Sequence, residues 1–397
     1  MFGVNYIKNI IKAFMNEIMN TIGRVAEGKN FFGRIKEIQH AIELLEDGAN
    51  LILAAPRRVG KTSFARKLKE EMENKGWKGV YIDLQLAPTE ICFMEIILRE
   101  IKGINIFDWL QNKTPEIKGI NIKEFGIEFN KRKPIFYQEI EKILPHDKET
   151  LIILDEFVIF LNDVLRIKED KENDFIGLTP FLNWLRALRQ MPNSKIRWII
   201  CSSISVESYL HKINLTKTIN DLTPFKLDEL KGDEPKLLIQ ALADSKKVHF
   251  TDEHIKYILE KLRWKLPYFI QILFKEIIDL LRDGNEMSIE TIDNAYVNLL
   301  EKDLQFNTWT ERLSYYDSDK RFASLILQNL SKFPIGLKKN NIEDLLYSEI
   351  NDQEKTEEVL ERLLKGLEND GYIMYDKEKY TFRSPLLRDF WNNKFGR

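Results

Sequence analysis

The sequence LILAAPRRVGKTSFARKLKEEMEN, residues Leu51–Asn74, contains a strand, a loop and a helix in that order. The five apolar residues of Leu51–Ala55 are typical of a buried strand. The loop Pro56–Thr62 follows, and apolar residues then recur at helical spacing until Gly76 provides a helix stop. The apolar face of this predicted helix consists of Phe64, Leu68 and Met72.

The loop has the form Ala-x-x-x-x-Gly-Lys-Thr, which differs from the phosphate-binding P-loop pattern only at its first residue, Ala55. In such a loop backbone N–H groups surround phosphates, and the following helix directs its positive end at them. We expect Lys61 to reach the β- and γ-phosphates and Thr62 to place its hydroxyl on Mg²⁺. Alanine at the first position costs stability only if that residue needs a positive φ, and we expect an ordinary φ. The predicted nucleotide-binding residues here are Ala55, Pro56, Arg57, Arg58, Val59, Gly60, Lys61, Thr62 and Ser63.

A second motif, LIILDE at Leu151–Glu156, strengthens this interpretation. Four apolar residues ending in two carboxylates are typical of a buried parallel strand, whose carboxyl end is where open α/β sheets bind ligands. We predict that Asp155 holds Mg²⁺ through water and that Glu156 polarises the attacking water. The same sequence could form a core strand followed by an ordinary acidic turn, but the P-loop upstream favours the nucleotide-binding interpretation.

Composition bounds the class of protein. The 397 residues are 44% hydrophobic and 31% charged, which predicts two or three globular domains with a sizeable core. A net charge of −2 does not indicate nucleic acid, although a local basic face stays possible. Cys92 and Cys201 lie far apart, and neither has a Cys or His at metal-ligand spacing, so we expect reduced thiols and a cytoplasmic location. No apolar run approaches about 18 residues, so no membrane span is predicted. The apolar residues of 1–22 recur at helical spacing and predict a helix with one apolar face. We expect this face to pack on the protein or on a partner, or to lie at a membrane surface.

An aromatic-Gly-Arg box precedes the first helix, at Gly33 and Arg34, and Glu37 follows. Together with APRRVGKTS and LIILDE, this box resembles the AAA+ superfamily, and most closely its STAND and archaeal-type ATPase branch, which is related to the initiator ATPases. The resemblance covers about residues 20–397. The resemblance implies that Gly33 and Arg34 lie against the adenine and ribose. The alternative, from the residues alone, is that they form a turn at the start of a helix.

A second strand is predicted at Gly79–Leu84 (GVYIDL), and Phe225–Leu230 (FKLDEL) predicts the last core strand and a helix start. The resemblance extends to a fourth strand, Lys195–Ser203 (KIRWIICSS). In the family a polar residue at the end of this strand senses the γ-phosphate; Ser203 matches it, and Ser202 stands where Gly is usual. An arginine finger supplied across a subunit interface would stabilise charge in the transition state. Three arginines are candidates, and each is equally compatible with an ordinary solvated charge. The candidate fingers are Arg186, Arg189 and Arg197.

Residues Arg263–Tyr268 resemble the lid motif of the family, Gly-x-Pro followed by an aromatic residue, in which the proline packs on the adenine. Lys265 replaces the glycine here, and Pro267 is the candidate base contact. Proline in the first turn of a helix is common and is the alternative explanation.

The C-terminal sequence predicts three helices and a hairpin, the order of a winged helix. The third helix argues against DNA, because Asp352–Asp370 contains seven acids and three bases and would repel phosphates. Lys377, Lys379 and Arg383 leave weak contact possible. The predicted elements are the helices 321–330, 342–347 and 355–368 and the strands 372–375 and 380–382.

These observations predict an α/β fold: a P-loop NTPase core of AAA+ type, αβα with a parallel sheet, followed by a helical lid and a winged helix. The heptapeptide EIKGINI occurs at 100–106 and 116–122 and indicates an insertion, possibly a partner contact, or chance similarity. The predicted parts are an N-terminal extension (1–25), the core (26–226, with the insertion at 103–150), the lid (227–308) and the winged helix (309–397).

The expected activity is binding of ATP and ADP with Mg²⁺ and slow ATP hydrolysis, in a switch that controls assembly with a protein partner or with itself. Two alternatives stay open. One is a DNA-acting ATPase of the initiator or loader kind. The other is a binding module that keeps nucleotide as structure and hardly hydrolyses it; Glu156 counts against it, because a pure binder does not need that residue.

Overall fold

A computed structural model describes residues 18–105, 137–169 and 178–396. The chain divides into two compact units. The sheet unit consists of Ile35–Ala55 and Phe64–Leu227, and the C-terminal unit consists of Met1–Arg34, Pro56–Ser63 and Asp228–Arg397. The P-loop therefore belongs with the C-terminal unit, and the bounds of the four predicted parts stay a prediction. Most of the predicted N-terminal helix and the second heptapeptide copy lie outside the described residues.

The sheet unit contains a five-stranded sheet in the order β2-β3-β4-β1-β5. Every pairing is parallel, as predicted. Strand β3 is buried along its whole length, which explains its continuous apolar run. The carboxyl ends of β1, β3 and β4 lie at the same edge, since Leu53 pairs with Cys201 and Leu154 with Ile200. The strands are β1 (Asn50–Ala54), β2 (Lys78–Asp83), β3 (Thr150–Asp155), β4 (Ile196–Ser202) and β5 (Leu222–Lys226).

Helices cover both faces of this sheet. On one face Ile152 and Ile200 belong to a buried cluster with Phe93, Phe160 and Phe181. On the other face Leu53 and Ile199 meet Phe64 and Leu68. The predicted αβα arrangement is thus confirmed. The helices are α1 (Ile35–Glu46), α2 (Lys61–Asn74), α3 (Glu90–Lys102), α4 (Phe157–Glu169), α5 (Leu178–Arg189) and α6 (Val206–Lys212), and residues 137–143 are also helical.

The C-terminal unit is mainly helical, as predicted. An aromatic cluster joins its elements: Trp309 packs against Phe269 at 6.3 Å and against Tyr372 at 5.3 Å between ring centroids. The helices are α7 (Glu234–Ser245), α8 (Asp252–Leu262), α9 (Pro267–Arg282), α10 (Ile289–Leu300), α11 (Asp303–Arg312), α12 (Lys320–Ser331), α13 (Lys339–Ile350), α14 (Gln353–Asn369) and α15 (Pro385–Phe395).

Three helices, α12 to α14, precede an antiparallel hairpin of β6 (Ile373–Asp376) and β7 (Lys379–Phe382). Leu337 forms one further antiparallel bridge with Tyr380. This is the order of elements expected for a winged helix, and that assignment stays an interpretation. Within the described parts of the chain, no helix has the length and apolar character needed to cross a membrane.

Candidate functional site

The backbone of the P-loop is left-handed at two residues, Arg58 with φ 66° and Gly60 with φ 93°. A Cβ added to Gly60 would meet no atom within 4 Å, so the backbone conformation rather than space favours glycine there. The left-handed conformation of Arg58 costs about 1–2 kcal/mol, and such strained residues are common in functional loops. Ala55 is not among the described residues with positive φ, so alanine carries no such strain at the first position.

Lys61 is the first residue of α2, and the backbone N–H groups of that first turn follow the loop directly. The lysine is only 7% exposed, and its Nζ donates a hydrogen bond to the Pro56 carbonyl at 3.4 Å. Ser63 is buried and its Oγ accepts a hydrogen bond from the Ala26 N–H at 2.9 Å. Thr62 is half-buried. The segment has the form of an anion-binding helix N-terminus.

Both arginines of the loop contact helices of the C-terminal unit. The Arg58 guanidinium lies 4.5 Å from the centre of the Tyr268 ring on α9. Arg57 donates to the Thr308 carbonyl on α11 at 3.4 Å. The Tyr268 hydroxyl in turn donates to Gln305 Oε1 at 2.8 Å, which ties α9 to α11. The two arginines therefore connect the loop to the helical part of the same unit.

Arg34, next to Gly33, also supports the loop. Gly33 has φ 71°, and a Cβ there would lie 2.9 Å from the carboxyl carbon of Glu234. Arg34 is 2% exposed, and its backbone N–H donates to Glu234 Oε1 at 2.6 Å. Its guanidinium donates to the carbonyls of Val59 at 3.0 Å and Asp228 at 2.6 Å. Arg34 thus holds the P-loop to the segment before α7, and its predicted contact with the base stays a prediction.

The predicted lid motif lies at the start of α9, where Pro267 is the first helical residue. This is the common position for proline that the sequence left as an alternative, and a base contact stays a prediction. Next to it, the Trp264 Nε1 donates to Asp228 Oδ1 at 3.3 Å, and the Arg383 guanidinium covers the Trp264 ring at 4.7 Å. Burial by itself would raise the pKa of the Asp228 carboxyl. The charge of Arg383 and hydrogen bonds from the Glu229 N–H and from Trp264 together outweigh burial, so the pKa is lowered.

In the sheet unit, Asp155 ends β3 and is 2% exposed. Its Oδ2 accepts a hydrogen bond from the Tyr81 hydroxyl at 2.6 Å, and its Oδ1 accepts one from the Glu156 N–H at 2.9 Å. Burial, followed by the charge of Asp155, raises the pKa of Tyr81, so the phenol keeps its proton and donates. The Arg66 guanidinium lies 4.8 Å from the centre of the Tyr81 ring.

Glu156 has φ 56°, a strained conformation for a residue other than glycine. Its Oε2 accepts hydrogen bonds from the Ser203 hydroxyl at 2.7 Å and from the Ser203 N–H at 3.3 Å. The neighbouring Ser202 Oγ accepts from the N–H of Val158 at 3.4 Å, near the start of α4. The structure therefore brings the predicted water-polarising residue and the predicted γ-phosphate sensor into direct contact.

The three candidate arginine fingers differ in exposure. The Arg189 side chain is 1% exposed, donates to Asp221 at 2.7 Å and donates to the Thr218 carbonyl at 2.6 Å. In this conformation Arg189 does not present its guanidinium to another subunit. Arg186 is partly exposed, as is Arg197, which donates to the Ser194 carbonyl at 2.8 Å. No observation ranks these two, and the finger stays a prediction.

Sequence reasoning missed Tyr81 and Asp228, and it gave Tyr268 only as the aromatic residue of the lid motif, without its contact to Arg58. Tyr81 lies in the predicted strand GVYIDL, but its contact with Asp155 depends on how two strands pair. Asp228 depends on contacts between distant segments and gave no local signal. Among the described residues, no three His, Cys, Asp or Glu side chains form a metal cluster. The Asp155 carboxylate and the Thr62 hydroxyl are each oxygen donors, the ligand type that Mg²⁺ prefers.

A family model and several solved structures match this chain. The model of the AAA-like domain family matches residues 30–297. A Walker-type ATPase of Pyrococcus abyssi has TM-score 0.62 and 19% identity, covering 94% of this chain and 100% of that one. The ORC2 protein of Aeropyrum pernix has TM-score 0.49 and 13% identity, covering 95% of this chain and 99% of that one.

The RuvB Holliday junction branch migration motor of Thermotoga maritima has TM-score 0.42 and 13% identity, with 93% of this chain and 95% of that chain covered. No curated protein sequence matches this chain. At these identities the likeness to the Pyrococcus ATPase shows a shared fold, while the family model spans more than half of the chain. The chain therefore belongs to the AAA-like domain family, and its fold is that of an AAA+ P-loop ATPase.

Proposed function

We propose that this protein binds ATP and ADP with Mg²⁺, hydrolyses ATP slowly, and uses the bound nucleotide to control its assembly with itself or with a protein partner. The observation that carries the proposal is the loop Pro56–Ser63. Its left-handed residues Arg58 and Gly60 lead directly into a helix that begins at Lys61, the arrangement that binds phosphates through backbone N–H groups. We further propose that the chain is a cytoplasmic member of the STAND and archaeal-type branch and ends in a winged helix.

Each predicted site residue has a role in this proposal. Lys61 contacts the β- and γ-phosphates, and Thr62 and Asp155 each contribute an oxygen to Mg²⁺ coordination, Asp155 through water. Bound Mg²⁺ would neutralise charge that develops on the phosphates. Glu156 orients and polarises the attacking water, and Ser203 senses the γ-phosphate. The hydrogen bond of Ser203 to Glu156 supports a link between sensing and hydrolysis.

The contacts of Arg57 and Arg58 support a switch. Both side chains are cations next to the backbone that would surround the phosphates, and both now contact α9 or α11. Phosphates in the loop would compete with Tyr268 and Thr308 for these cations. Nucleotide would therefore change how the loop is connected to the helices of the C-terminal unit. Such a two-state element is what a nucleotide-controlled assembly needs.

The test is the mass in solution of the Glu156→Gln variant, measured by light scattering with ADP and then with ATP and Mg²⁺. We expect a defined oligomer only with ATP, because the variant binds ATP without cleaving it. Lys61→Ala is the control and should stay at the ADP mass. Hydrolysis by Glu156→Gln at the wild-type rate would show that the catalytic assignment is wrong.

The DNA-acting alternative is less well supported. Five acidic side chains on or at the start of α14 are exposed, and a recognition helix of that charge would be repelled by phosphates. The rate of ATP hydrolysis, measured with and without duplex DNA, distinguishes the switch from the DNA-acting ATPase. We expect no stimulation by DNA. Turnover near zero in both conditions, with tight nucleotide binding, would instead support a nucleotide-stabilised binding module. The acidic residues are Asp352, Glu354, Glu357, Glu358 and Glu361.

A further inference from the structure

Tyr81 contacts the carboxylate to which the proposed function gives the Mg²⁺ role. In the sheet, Asp83 of β2 lies opposite Asp155 of β3, and Tyr81 lies opposite Ile153. Since side chains alternate along a strand, Tyr81 and Asp155 project from the same face as diagonal neighbours. Neighbouring strands lie about 4.8 Å apart and two residues advance about 6.6 Å, so this diagonal spans about 8 Å between Cα atoms, a gap that a tyrosine side chain can cross. The hydroxyl accordingly reaches Oδ2 of Asp155 at 2.6 Å.

Two hydrogen bonds fix the orientation of this carboxylate. The phenol donates to Oδ2, and the Glu156 N–H donates to Oδ1 at 2.9 Å. Asp155 is 2% exposed, and bulk water therefore does not compete with the phenol for Oδ2. Loss of the phenol bond would weaken the restraint on the terminal torsion of the carboxylate, which is intrinsically broad.

The tyrosine is itself held in place. Its ring lies under the Arg66 guanidinium of α2, 4.8 Å from the ring centre. A cation over an aromatic face is attracted to the ring and so restricts the ring plane. Tyr81 sits on β2, whose parallel register with β3 covers six residue pairs. Strand and guanidinium together fix the position of the hydroxyl relative to Asp155.

We propose that Tyr81 is a positioning residue that orients Asp155 for water-mediated Mg²⁺ binding, and so sets the Mg²⁺ concentration at which the protein binds ATP tightly. The inference rests on the proposed function, because Asp155 acts on Mg²⁺ only in a protein that binds ATP. Hydrogen-bond partners of metal-binding carboxylates fix their orientation, and their loss typically costs 10–100-fold in metal affinity. Tyr81 acts through Asp155 and touches neither nucleotide nor metal in this proposal.

The test compares Tyr81→Phe with Tyr137→Phe. Tyr137 is the matched control in the same unit, because its buried hydroxyl donates to a buried carboxylate, Glu90 Oε2, at 3.0 Å. Binding of a fluorescent ATP analogue is titrated with Mg²⁺, starting from EDTA. We expect Tyr81→Phe to need about tenfold more Mg²⁺ to reach half of the Mg²⁺-dependent gain in affinity for the ATP analogue. Its affinity for the analogue in EDTA should be unchanged. Tyr137→Phe should need the wild-type concentration. Electron spin resonance of Mn²⁺, titrated in place of Mg²⁺, gives a second readout without turnover.

Two results would overturn the inference: a wild-type Mg²⁺ titration for Tyr81→Phe, or an equal shift for Tyr137→Phe. Asp155→Asn supplies a second check. In that background Tyr81→Phe should add no further shift, whereas additive shifts would show that the tyrosine does not act through Asp155. If wild-type protein binds no nucleotide, or binds it without any response to Mg²⁺, the proposed function fails first and this inference fails with it. The wild-type titration therefore distinguishes the two failures.

Discussion

Replacement of Arg34 by alanine should weaken both the fold of the C-terminal unit and its affinity for every nucleotide. The side chain is 2% exposed and joins two segments that are far apart in sequence, through the carbonyls of Val59 and Asp228. Val59 lies inside the P-loop. Without the guanidinium, the loop loses a buried support.

The magnitude follows from the two hydrogen bonds. Bonds of 3.0 and 2.6 Å from a charged donor contribute about 1.5–3 kcal/mol each, so their joint loss should cost about 3 kcal/mol or more. Both bonds come from one guanidinium nitrogen, so Arg34→Lys keeps a charged donor but on a shorter side chain, and it should cost roughly half as much as alanine. Arg321→Ala is the control, because its ion pair with Glu349 at 3.5 Å is exposed and such pairs contribute about 0–1 kcal/mol.

The assay has two parts. Urea unfolding without nucleotide should show the order wild type, Arg34→Lys, Arg34→Ala in decreasing stability. Binding of ATP and of GTP should then weaken by the same factor in Arg34→Ala, because a displaced loop affects phosphates and not the base. A loss confined to ATP would show that Arg34 acts on adenine, as the family resemblance implies. Unchanged stability and unchanged affinity would refute the structural argument altogether.

Gly371→Ala should destabilise the C-terminal unit by about 3 kcal/mol, because φ at this residue is 83° and the new Cβ would lie 2.7 Å from Trp264 and 2.8 Å from Pro56. Urea unfolding measures this loss of stability, and a variant as stable as the wild type would contradict the prediction. The Asp228 carboxyl has a lowered pKa, so its ion pair stabilises the fold above the ordinary pKa of about 4 and is lost as the pH falls through the folded-state value. Arg383→Met should therefore destabilise the protein at pH 7 and approach the wild-type stability below about pH 4. A stability difference that does not change with pH would refute this assignment.

Local patterns predicted the strand, loop and helix at Leu51–Asn74 and the strand at Leu151–Asp155. Both follow from apolar periodicity within one segment, so no distant contact was needed. The boundary of β5 was less well predicted: the sequence indicated a strand from Phe225, whereas it runs from Leu222 to Lys226. Pro224 interrupts the strand pattern, and β5 accepts it because an edge strand has one side without ladder hydrogen bonds.

Contacts of the candidate site were beyond the sequence because they join distant segments. The bond of Tyr81 to Asp155 depends on the register of β2 against β3, which is set by pairing over the whole strand. Arg189 was one of three equivalent arginines in the sequence, and only the structure shows it buried against Asp221. The roles given to Lys61 and Thr62 come from the motif, and they stay predictions until nucleotide binding is measured.

Glu156 and Ser203 show how the fold connects two predicted roles. The left-handed φ of 56° at Glu156 turns the chain sharply at the end of β3, while its N–H still bonds to Asp155. Its carboxylate then meets Ser203, the residue just after β4, through both the hydroxyl and the backbone N–H. Because β3 and β4 are neighbouring parallel strands, this contact needs no loop movement to form. A serine drawn towards a γ-phosphate would give up its hydroxyl bond to Glu156, and the carboxylate would then be available to the attacking water.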